Sequence, residues 1–304
     1  MDTPLISVLM STYNETTKEL DESINSILQQ TYSNFEFLII NDNPNNYELE
    51  KTLKSYKDSR IKIIHNEENL GLVKSLNNGL KYCNGQYVAR MDADDISCPS
   101  RIQDELLYLQ NNRLDMVGSY IETIDENGKT IKPLMRFPKN HNQIVKFMRW
   151  GSCICHPTWL LKREVCLELH GYRKTPHCED YDFILRAIAH GYKVGNISKV
   201  ELSYRIRQSG VSKSHETEQF LLRDYLAKNM KQIDLLTEDT IKEFLNSEKF
   251  RRQLEQLSYY KSEKQMIKNG SSIEKIKSTV QILENRFFWR DIVEKTTLLL
   301  REHI

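Results

Sequence analysis

Three aspartates, Asp92, Asp94 and Asp95, follow the short apolar stretch Tyr87-Val88-Ala89. That stretch predicts a β-strand that is leaving a sheet. Carboxylates packed this closely raise one another's pKa unless a cation or hydrogen-bond donors compensate them. In an extended segment Asp92 and Asp94 point to the same face, because side chains alternate along a strand. An all-oxygen pair suits Mg²⁺ or Mn²⁺, which takes its other ligands from water and substrate phosphates.

A simpler interpretation of the same cluster is a solvated acidic turn that caps the next helix. Short motifs of this kind often match by chance. The choice therefore depends on the elements that position the aspartates.

The first hundred residues alternate between strand and helix patterns. Four short apolar runs predict strands, at 5–10, 35–40, 60–64 and 87–92. Apolar residues at helical spacing predict helices between them, near 20–28, 46–57 and 73–80. This alternation predicts a mainly parallel sheet with helices on both faces, in which ligands bind outside the carboxyl ends of the strands. We therefore expect the loops at 11–15, 41–44 and 92–95 to face one crevice.

The second half of the chain has a more mixed pattern. Further elements are predicted as helices near 102–109 and 183–189 and as strands at 116–124, 159–161, 192–197 and 202–206. Residues 130–150 give no clear pattern, because Pro133 and Pro138 interrupt it. From about residue 215 strand signals vanish. We predict an α/β domain over 1–214 and a helical C-terminal region over 215–304.

Composition excludes several classes of protein. The 43 basic and 42 acidic residues nearly balance, which argues against a nucleic-acid partner. No run of eighteen apolar residues and no signal-peptide pattern is present, so we expect a cytoplasmic protein. Six cysteines are too few for a disulfide framework, and Cys153-Ile154-Cys155-His156 lacks the spacing of a structural zinc site. Reduced thiols are the expected state.

Four motifs, taken in order, resemble those of a known family. They are ISVLMSTYNE at 6–15, IINDN at 39–43, DADD at 92–95 and ED at 179–180. Their order and spacing resemble a family 2 inverting glycosyltransferase with the Rossmann-like GT-A fold, of the type that builds bacterial capsules and O-antigens. The resemblance covers roughly residues 4–210 and leaves the helical C-terminal region outside it.

The resemblance implies which residues hold a UDP-sugar. The loop after the first strand, with Thr12, Tyr13 and Glu15, would border the nucleobase. The remaining nucleotide contacts that it implies are Asp42 at the uracil, Asp92 at the ribose, Asp94 at a Mn²⁺ or Mg²⁺ ion on the diphosphate, and Arg90 facing the nucleotide. Asp95 would be an outer partner of this group.

The resemblance also implies an acceptor side. Asp180 matches the family's general base, which takes the proton of the acceptor hydroxyl. As a helix N-cap the same residue would have a purely structural role, and Glu179 is the alternative base. His156 matches a segment near the acceptor, although a lone histidine is often structural. Arg207 stands where relatives often carry a histidine near the metal, and an arginine would clamp phosphate oxygens instead of binding the ion.

The predicted activity is therefore inverting transfer of a hexose or N-acetylhexosamine from a UDP-sugar. The acceptor would be a saccharide or an undecaprenyl-linked sugar. One alternative is a sugar-phosphate nucleotidyltransferase, although residues 5–15 lack its usual glycine-rich phosphate loop. Another is a non-catalytic module that binds nucleotide sugars or glycans. A phosphatase with a nucleophilic Asp-x-Asp is disfavoured, since the motif follows the fourth strand.

The C-terminal region suggests two further kinds of contact. It is rich in Lys and Arg, and Phe287-Phe288-Trp289 lies between Arg286 and Arg290. Basic residues beside exposed aromatics can hold a helix against the inner face of an anionic cell membrane. The alternative is a helical hairpin that packs on the catalytic domain or joins a second subunit in a homo-oligomer.

Overall fold

The computed structural model describes residues 3–207 and 215–269, together with positions 278, 279, 282, 285 and 287. Its first part confirms the predicted alternation of strands and helices. The elements are β1 (Ile6–Thr12), α1 (Thr17–Leu28), β2 (Phe35–Asn41), α2 (Tyr47–Ser55), β3 (Ile61–His65), α3 (Leu72–Leu80) and β4 (Tyr87–Asp92).

The middle of the chain contains more elements than the sequence predicted. They are β5 (Ile96–Ser97), α4 (Arg101–Asn111), β6 (Met116–Ile124), β7 (Thr130–Met135), α5 (His141–Phe147), β8 (Leu160–Lys162), α6 (Arg163–Glu168), α7 (Glu179–Ala189) and β9 (Val194–Arg205). A short 3₁₀ turn, His156–Thr158, leads into β8.

Two predictions in this part were wrong in detail. The strands expected at 192–197 and 202–206 form the single strand β9, whose pairing with β6 shifts register between Ser119 and Ile121. The extra residues of this bulge lie on β9, between the two predicted segments. The segment with no clear pattern contains β7 and α5. Pro133 is compatible with β7 because the described part of that strand pairs only with β6, as an edge strand does.

The sheet brings the predicted loops together at one edge. Its strand order is β3-β2-β1-β4-β8-β6-β9-β5, with β7 also paired to β6. The strands β1 to β4 are parallel, as are β6 and β9, whereas the short strands β5, β7 and β8 pair antiparallel. Thr12 lies opposite Asn41, and Ser11 lies opposite Asp92. The carboxyl ends of β1, β2 and β4 therefore meet, which confirms the predicted crevice.

The two faces of the sheet carry separate cores. Leu9, Leu38 and Ile40 pack in one buried cluster, whereas Val8 and Ile39 pack in the other. Neighbours along a strand fall in different clusters because strand side chains alternate between the faces. The sheet is thus covered on both sides, as the sequence predicted.

The helical C-terminal region comprises α8 (Glu216–Lys228), a 3₁₀ turn at Met230–Leu235, α9 (Glu238–Asn246) and α10 (Glu248–Asn269). Leu222, Leu226 and Ile233 are buried in the same cluster as Leu9 and Leu38. The start of this region therefore packs on the sheet domain. The proposed boundary after residue 214 falls outside the described residues, and the division into two domains stays a prediction.

Phe287 is not one of the exposed aromatics that the membrane interpretation of the C-terminal region requires. This side chain is only 5% exposed and packs in a third cluster with Leu221 and Phe250. Its ring meets that of Phe220 edge-on at a centroid separation of 6.1 Å. Burial of the ring against neighbouring helices leaves it unavailable to a membrane. The other residues of that prediction, at 286 and 288–290, lie outside the described part of the chain.

Two further features follow from the described residues. Among them, no helix has both the length and the apolar character needed to span a bilayer. All six cysteines are free, which agrees with the expected reduced thiols.

Substitution of Gly85 tests how closely β1 approaches the loop before β4. A Cβ atom at this position would lie 2.5 Å from the backbone nitrogen of Ser7 and 2.8 Å from the carbonyl oxygen of Leu5. Gly85→Ala should therefore lower the free energy of unfolding by about 1–3 kcal/mol, measured by urea denaturation. Gly151→Ala is the matched control, because nothing lies within 4 Å of its added Cβ. Equal urea midpoints for the two variants would contradict this packing.

Candidate functional site

The loop after β1 is held in shape by Glu15. Its Oε2 atom accepts hydrogen bonds from Thr12 Oγ1 at 2.6 Å and from the backbone amide of Tyr13 at 2.8 Å. The Tyr13 side chain remains 40% exposed at the rim of the crevice. The structure therefore brings these three predicted nucleotide residues together at the carboxyl end of β1.

Asp42 occupies the end of β2 and is 3% exposed. Its carboxylate accepts hydrogen bonds from Asn66 Nδ2 at 2.8 Å, from the Leu70 amide at 2.8 Å and from the Gly71 amide at 2.9 Å. These bonds fix the loop that leads from β3 into α3. Asp42 thus shapes one wall of the crevice, and its contact with a uracil ring stays a prediction.

Asp92 ends β4 and forms an ion pair with Arg90, which is 2% exposed. Within the described part of the chain, the Arg90 Nε atom has no hydrogen-bond partner. The backbone around the pair is fixed from two sides: Ser23 Oγ donates to the Asp92 carbonyl at 2.8 Å, and Arg101 Nη1 donates to the Arg90 carbonyl at 3.0 Å. A buried cation therefore lies directly behind the acidic cluster.

Asp94 faces the crevice with 23% of its side chain exposed. Burial, and then the negative charge of Asp92, raise its pKa to about 7. The Nε atom of Arg207 lies 2.9 Å from Asp94 Oδ2, and its Nη2 atom lies 3.2 Å from Glu19 Oε2. The structure therefore places Arg207 beside Asp94, within the predicted diphosphate region.

Asp95 is buried and anchors the end of β9. Its Oδ1 atom accepts the backbone amide of Arg205 at 2.8 Å. Burial, together with the charges of Asp94 and Asp92, holds the pKa of Asp95 well above its usual range. Asp95, which we expected to be an outer partner of the nucleotide contacts, therefore accepts a hydrogen bond from strand β9.

Arg205 is a structural element of the site that the sequence did not reveal. Its Nε atom donates to the Asp94 carbonyl at 2.7 Å, and its Nη2 atom donates to Glu22 Oε2 at 2.6 Å. Its Nη1 atom reaches the carbonyls of Asp125 and Glu126 in the turn between β6 and β7. One buried guanidinium thus joins α1, the acidic loop and the β6–β7 turn.

The acidic cluster has one carboxylate suited to a metal ion. Within the described residues, no group of three or more His, Cys, Asp or Glu side chains is arranged to hold an ion. Asp94 has a partly exposed carboxylate, whose pKa is raised by burial and by the negative charge of Asp92. This donor set fits a hard divalent ion that takes most of its ligands from a diphosphate and water.

Glu179 and Asp180 lie at the start of α7, where the charges of Arg90 and Asp92 from β4 act on Glu179. The helix N-cap is Cys178, and the Oδ1 atom of Asp180 accepts the amide of Tyr181 at 2.7 Å. The N-cap interpretation of Asp180 was therefore wrong, because Asp180 is already the second residue of the helix. Burial raises the pKa of Asp180, and burial with the charge of Asp180 raises that of Glu179 to about 7. Carboxylates with raised pKa values suit general-base catalysis near neutral pH.

His156 lies in the short turn that leads into β8. Its Nε2 atom is 2.8 Å from the Tyr172 hydroxyl, and its ring meets that of Trp159 edge-on at 4.4 Å. Burial, and then the nearby charge of Arg90, hold the pKa of His156 well below its usual range, so the ring is neutral. Its role toward an acceptor stays a prediction.

A cavity of about 310 Å³ opens beside Asp180. Its lining residues come from the loop before β8, the start of α7 and helix α8: Ser152, His177, Asp180, Glu216, Gln219 and Arg223. The contribution of α8 was missed, since isolated polar residues on a C-terminal helix carry no motif. The predicted base therefore faces a cavity formed partly by the helical region.

Substitution of Arg205 tests whether its hydrogen bonds hold the acidic loop in place. Arg205→Ala removes a buried guanidinium and leaves Glu22 and three carbonyls without their donor, so we expect a loss of about 3–5 kcal/mol in the free energy of unfolding. Lys54→Ala is the control, because it removes an exposed pair with Glu50 and should cost under about 1 kcal/mol. Similar urea denaturation curves for both variants would contradict the anchoring role.

Comparisons with known proteins agree with this architecture. The model of Glycosyl transferase family 2 matches residues 7–169. The O-antigen biosynthesis glycosyltransferase WbnJ of Escherichia coli is 39% identical over 233 residues, which span 74% of this chain and 90% of that protein. The Escherichia coli enzyme WfgD, described as a UDP-Glc:alpha-D-GlcNAc-diphosphoundecaprenol beta-1,3-glucosyltransferase, is 32% identical over 218 residues, covering 70% and 81%.

A solved structure shows the same fold at low sequence identity. Staphylococcus aureus TarS 1–349 in complex with UDP-GlcNAc superposes with a TM-score of 0.59 and 15% identity, over 92% of this chain and 88% of that one. This likeness supports the predicted GT-A fold. Because these matches are glycosyltransferases, they do not support the two alternative functions, a sugar-phosphate nucleotidyltransferase and a non-catalytic binding module. Because the family model matches more than half of the chain, the protein belongs to glycosyl transferase family 2.

Proposed function

We propose that this enzyme transfers a hexose or N-acetylhexosamine from a UDP-sugar to a saccharide acceptor, free or lipid-linked, with inversion at the sugar carbon. The observation that carries the proposal is the position of two groups of carboxylates on one crevice. The charges of Asp92 and Arg90 both act on Glu179, so the two groups lie within electrostatic reach. Relatives named for O-antigen biosynthesis and for a diphosphoundecaprenol acceptor support a role in surface-polysaccharide assembly.

The donor would occupy the carboxyl ends of β1, β2 and β4. Thr12, Tyr13 and Asp42 would border the nucleobase, and Asp92, at the end of β4, would contact the ribose. UDP is favoured because a UDP-sugar occupies the structural neighbour named above. Arg207 would exchange its contact with Asp94 for phosphate oxygens, since a guanidinium matches phosphate geometry.

Mn²⁺ or Mg²⁺ would bind at Asp94. Such an ion supplies Lewis-acid stabilisation of the negative charge that develops on the leaving diphosphate. The protein contributes the carboxylate itself and a fixed backbone around it. Arg205 holds the Asp94 carbonyl and Asp95 holds the end of β9, so the ligand needs little reorganisation when the nucleotide binds.

The reaction itself would be a single displacement. The acceptor oxygen attacks the sugar carbon from the face opposite the diphosphate, its proton passes to Asp180, and the bond between the sugar carbon and the diphosphate oxygen breaks. The raised pKa of Asp180 makes its carboxylate a stronger base than an ordinary aspartate. Glu179, beside it in the first turn of α7, would keep the pair partly protonated near neutrality.

Asp94 tests the metal assignment. Asp94→Ala should abolish measurable transfer, and UDP binding followed by isothermal titration calorimetry should no longer strengthen when Mn²⁺ is added. The reason is the loss of the carboxylate that would bind the ion. Asp58→Ala removes an aspartate outside the crevice and serves as the control. Metal-dependent UDP binding in Asp94→Ala would remove this residue from the proposed site.

Substitution of Asp180 tests its assignment as the general base. Asp180→Asn should lower kcat about 10²–10⁴-fold while leaving metal-dependent UDP binding unchanged, because general-base catalysis contributes on that scale. Glu179→Gln should retain more activity. The reverse order of the two variants would identify Glu179 as the base.

The wild-type pH profile gives an independent check on the same pair. A base with a raised pKa is active above that pKa and loses activity as the pH falls through it. The acidic limb of kcat/KM should therefore lie above the value of about 3.9 for a free aspartate. A limb at or below that value would contradict the raised pKa of Asp180.

A further inference from the structure

The cavity beside Asp180 contains a cation that the proposed reaction does not use. Arg223 reaches it from α8, which lies beyond the family match at residues 7–169. The guanidinium of Arg223 makes no hydrogen bond or ion pair with any residue in the described ranges. Its charge nevertheless acts on Asp180, Tyr181 and Cys178. Arg223 therefore lies close to the base without being paired to it.

Two other polar side chains of the cavity, Glu216 and Gln219, are already held by neighbours. Glu216 is held by Lys261, whose Nζ atom lies 2.8 Å from Glu216 Oε2. Gln219 Nε2 donates to the His177 carbonyl at 3.0 Å. The His177 ring stacks on that of His215 with centroids 3.9 Å apart, and burial with the charge of His215 lowers its pKa, so it is neutral. Arg223 is therefore the lining side chain that brings an unpaired positive charge to the cavity.

An unpaired, half-buried guanidinium is costly unless an anion completes it. Arginine presents a planar set of donors that matches two oxygens of a phosphate, and such charge-assisted bonds are among the strongest in proteins. The chemistry of the cavity thus favours an anionic group on the acceptor, in the same cavity as the hydroxyl that would face Asp180.

Resting on the proposed transferase function, we propose that Arg223 binds a phosphate attached to the acceptor sugar. The acceptor is then a glycosyl phosphate or diphosphate, and an uncharged saccharide is a poorer substrate. The lining residues divide accordingly: Asp180 meets the reacting hydroxyl, and Arg223 meets the phosphate at the other side of the same sugar. The helical region acquires a function in this arrangement, because α8 supplies the residue that selects the acceptor.

Binding of two matched probes tests this inference. The probes are octyl N-acetylglucosaminyl diphosphate and the uncharged octyl N-acetylglucosaminide, titrated by calorimetry with the donor site saturated by UDP and Mn²⁺. The wild type should bind the diphosphate more tightly. Arg223→Gln should weaken diphosphate binding about 10- to 100-fold, as loss of a charge-assisted hydrogen bond predicts, and leave the uncharged probe unaffected. Arg223→Lys should lose part of this discrimination.

Lys228→Gln is the matched control, since it removes the same charge from an exposed position on the same helix. Retained UDP binding in each variant shows that the protein is folded. Equal losses for both probes, or no loss for the diphosphate, would overturn the inference. If Arg223 served only to keep Asp180 ionised, Arg223→Gln would shift the acidic limb of kcat and leave probe binding unchanged, which also overturns it. If the wild type binds the diphosphate probe more tightly through Arg223 but transfers no sugar, only the proposed transferase function is refuted.

Discussion

The site depends on the crowding of three aspartates at the end of β4. Asp92, Asp94 and Asp95 lie in one short loop, and burial together with mutual repulsion raises the pKa of the last two. Such a cluster is stable only if positive charge surrounds it. Arg90 pairs with Asp92, and Arg207 contacts Asp94. The protein therefore compensates the charge in part, and Asp94 is where the proposed cation would add to this compensation.

This requirement explains much of the surrounding architecture. Arg205 fills the space between α1, the acidic loop and the β6–β7 turn, and Asp95 accepts its backbone amide. The end of β9 is therefore fixed by the same residues that hold the acidic loop in place. Arg101 adds a second buried cation, which bonds the carbonyls of Arg90 and Pro157. Strand β4 and the turn at His156–Thr158 are thus joined through a buried arginine as well as through apolar contacts.

The sequence predicted those parts of the molecule that follow from local pattern. Strand–helix alternation gave the parallel half of the sheet, and the four motifs placed Thr12, Asp42, Asp94 and Asp180 at its edge. Features that depend on distant contacts were missed. The edge strand β7 was not predicted because it contains Pro133. The four hydrogen bonds of Arg205 were not predicted because no pattern near it in the sequence indicates its distant partners. Arg223 was missed for the same reason, because helix packing alone brings it to the cavity.

The central claim is that donor and base lie on opposite sides of one crevice, so that the sugar is displaced once. The stereochemistry of the product tests this claim most directly. Proton NMR should follow the anomeric signal while the enzyme consumes a UDP-sugar in the α configuration. The account predicts a β-linked product from the first turnover onward. An α-linked product would contradict a single displacement with Asp180 as the base.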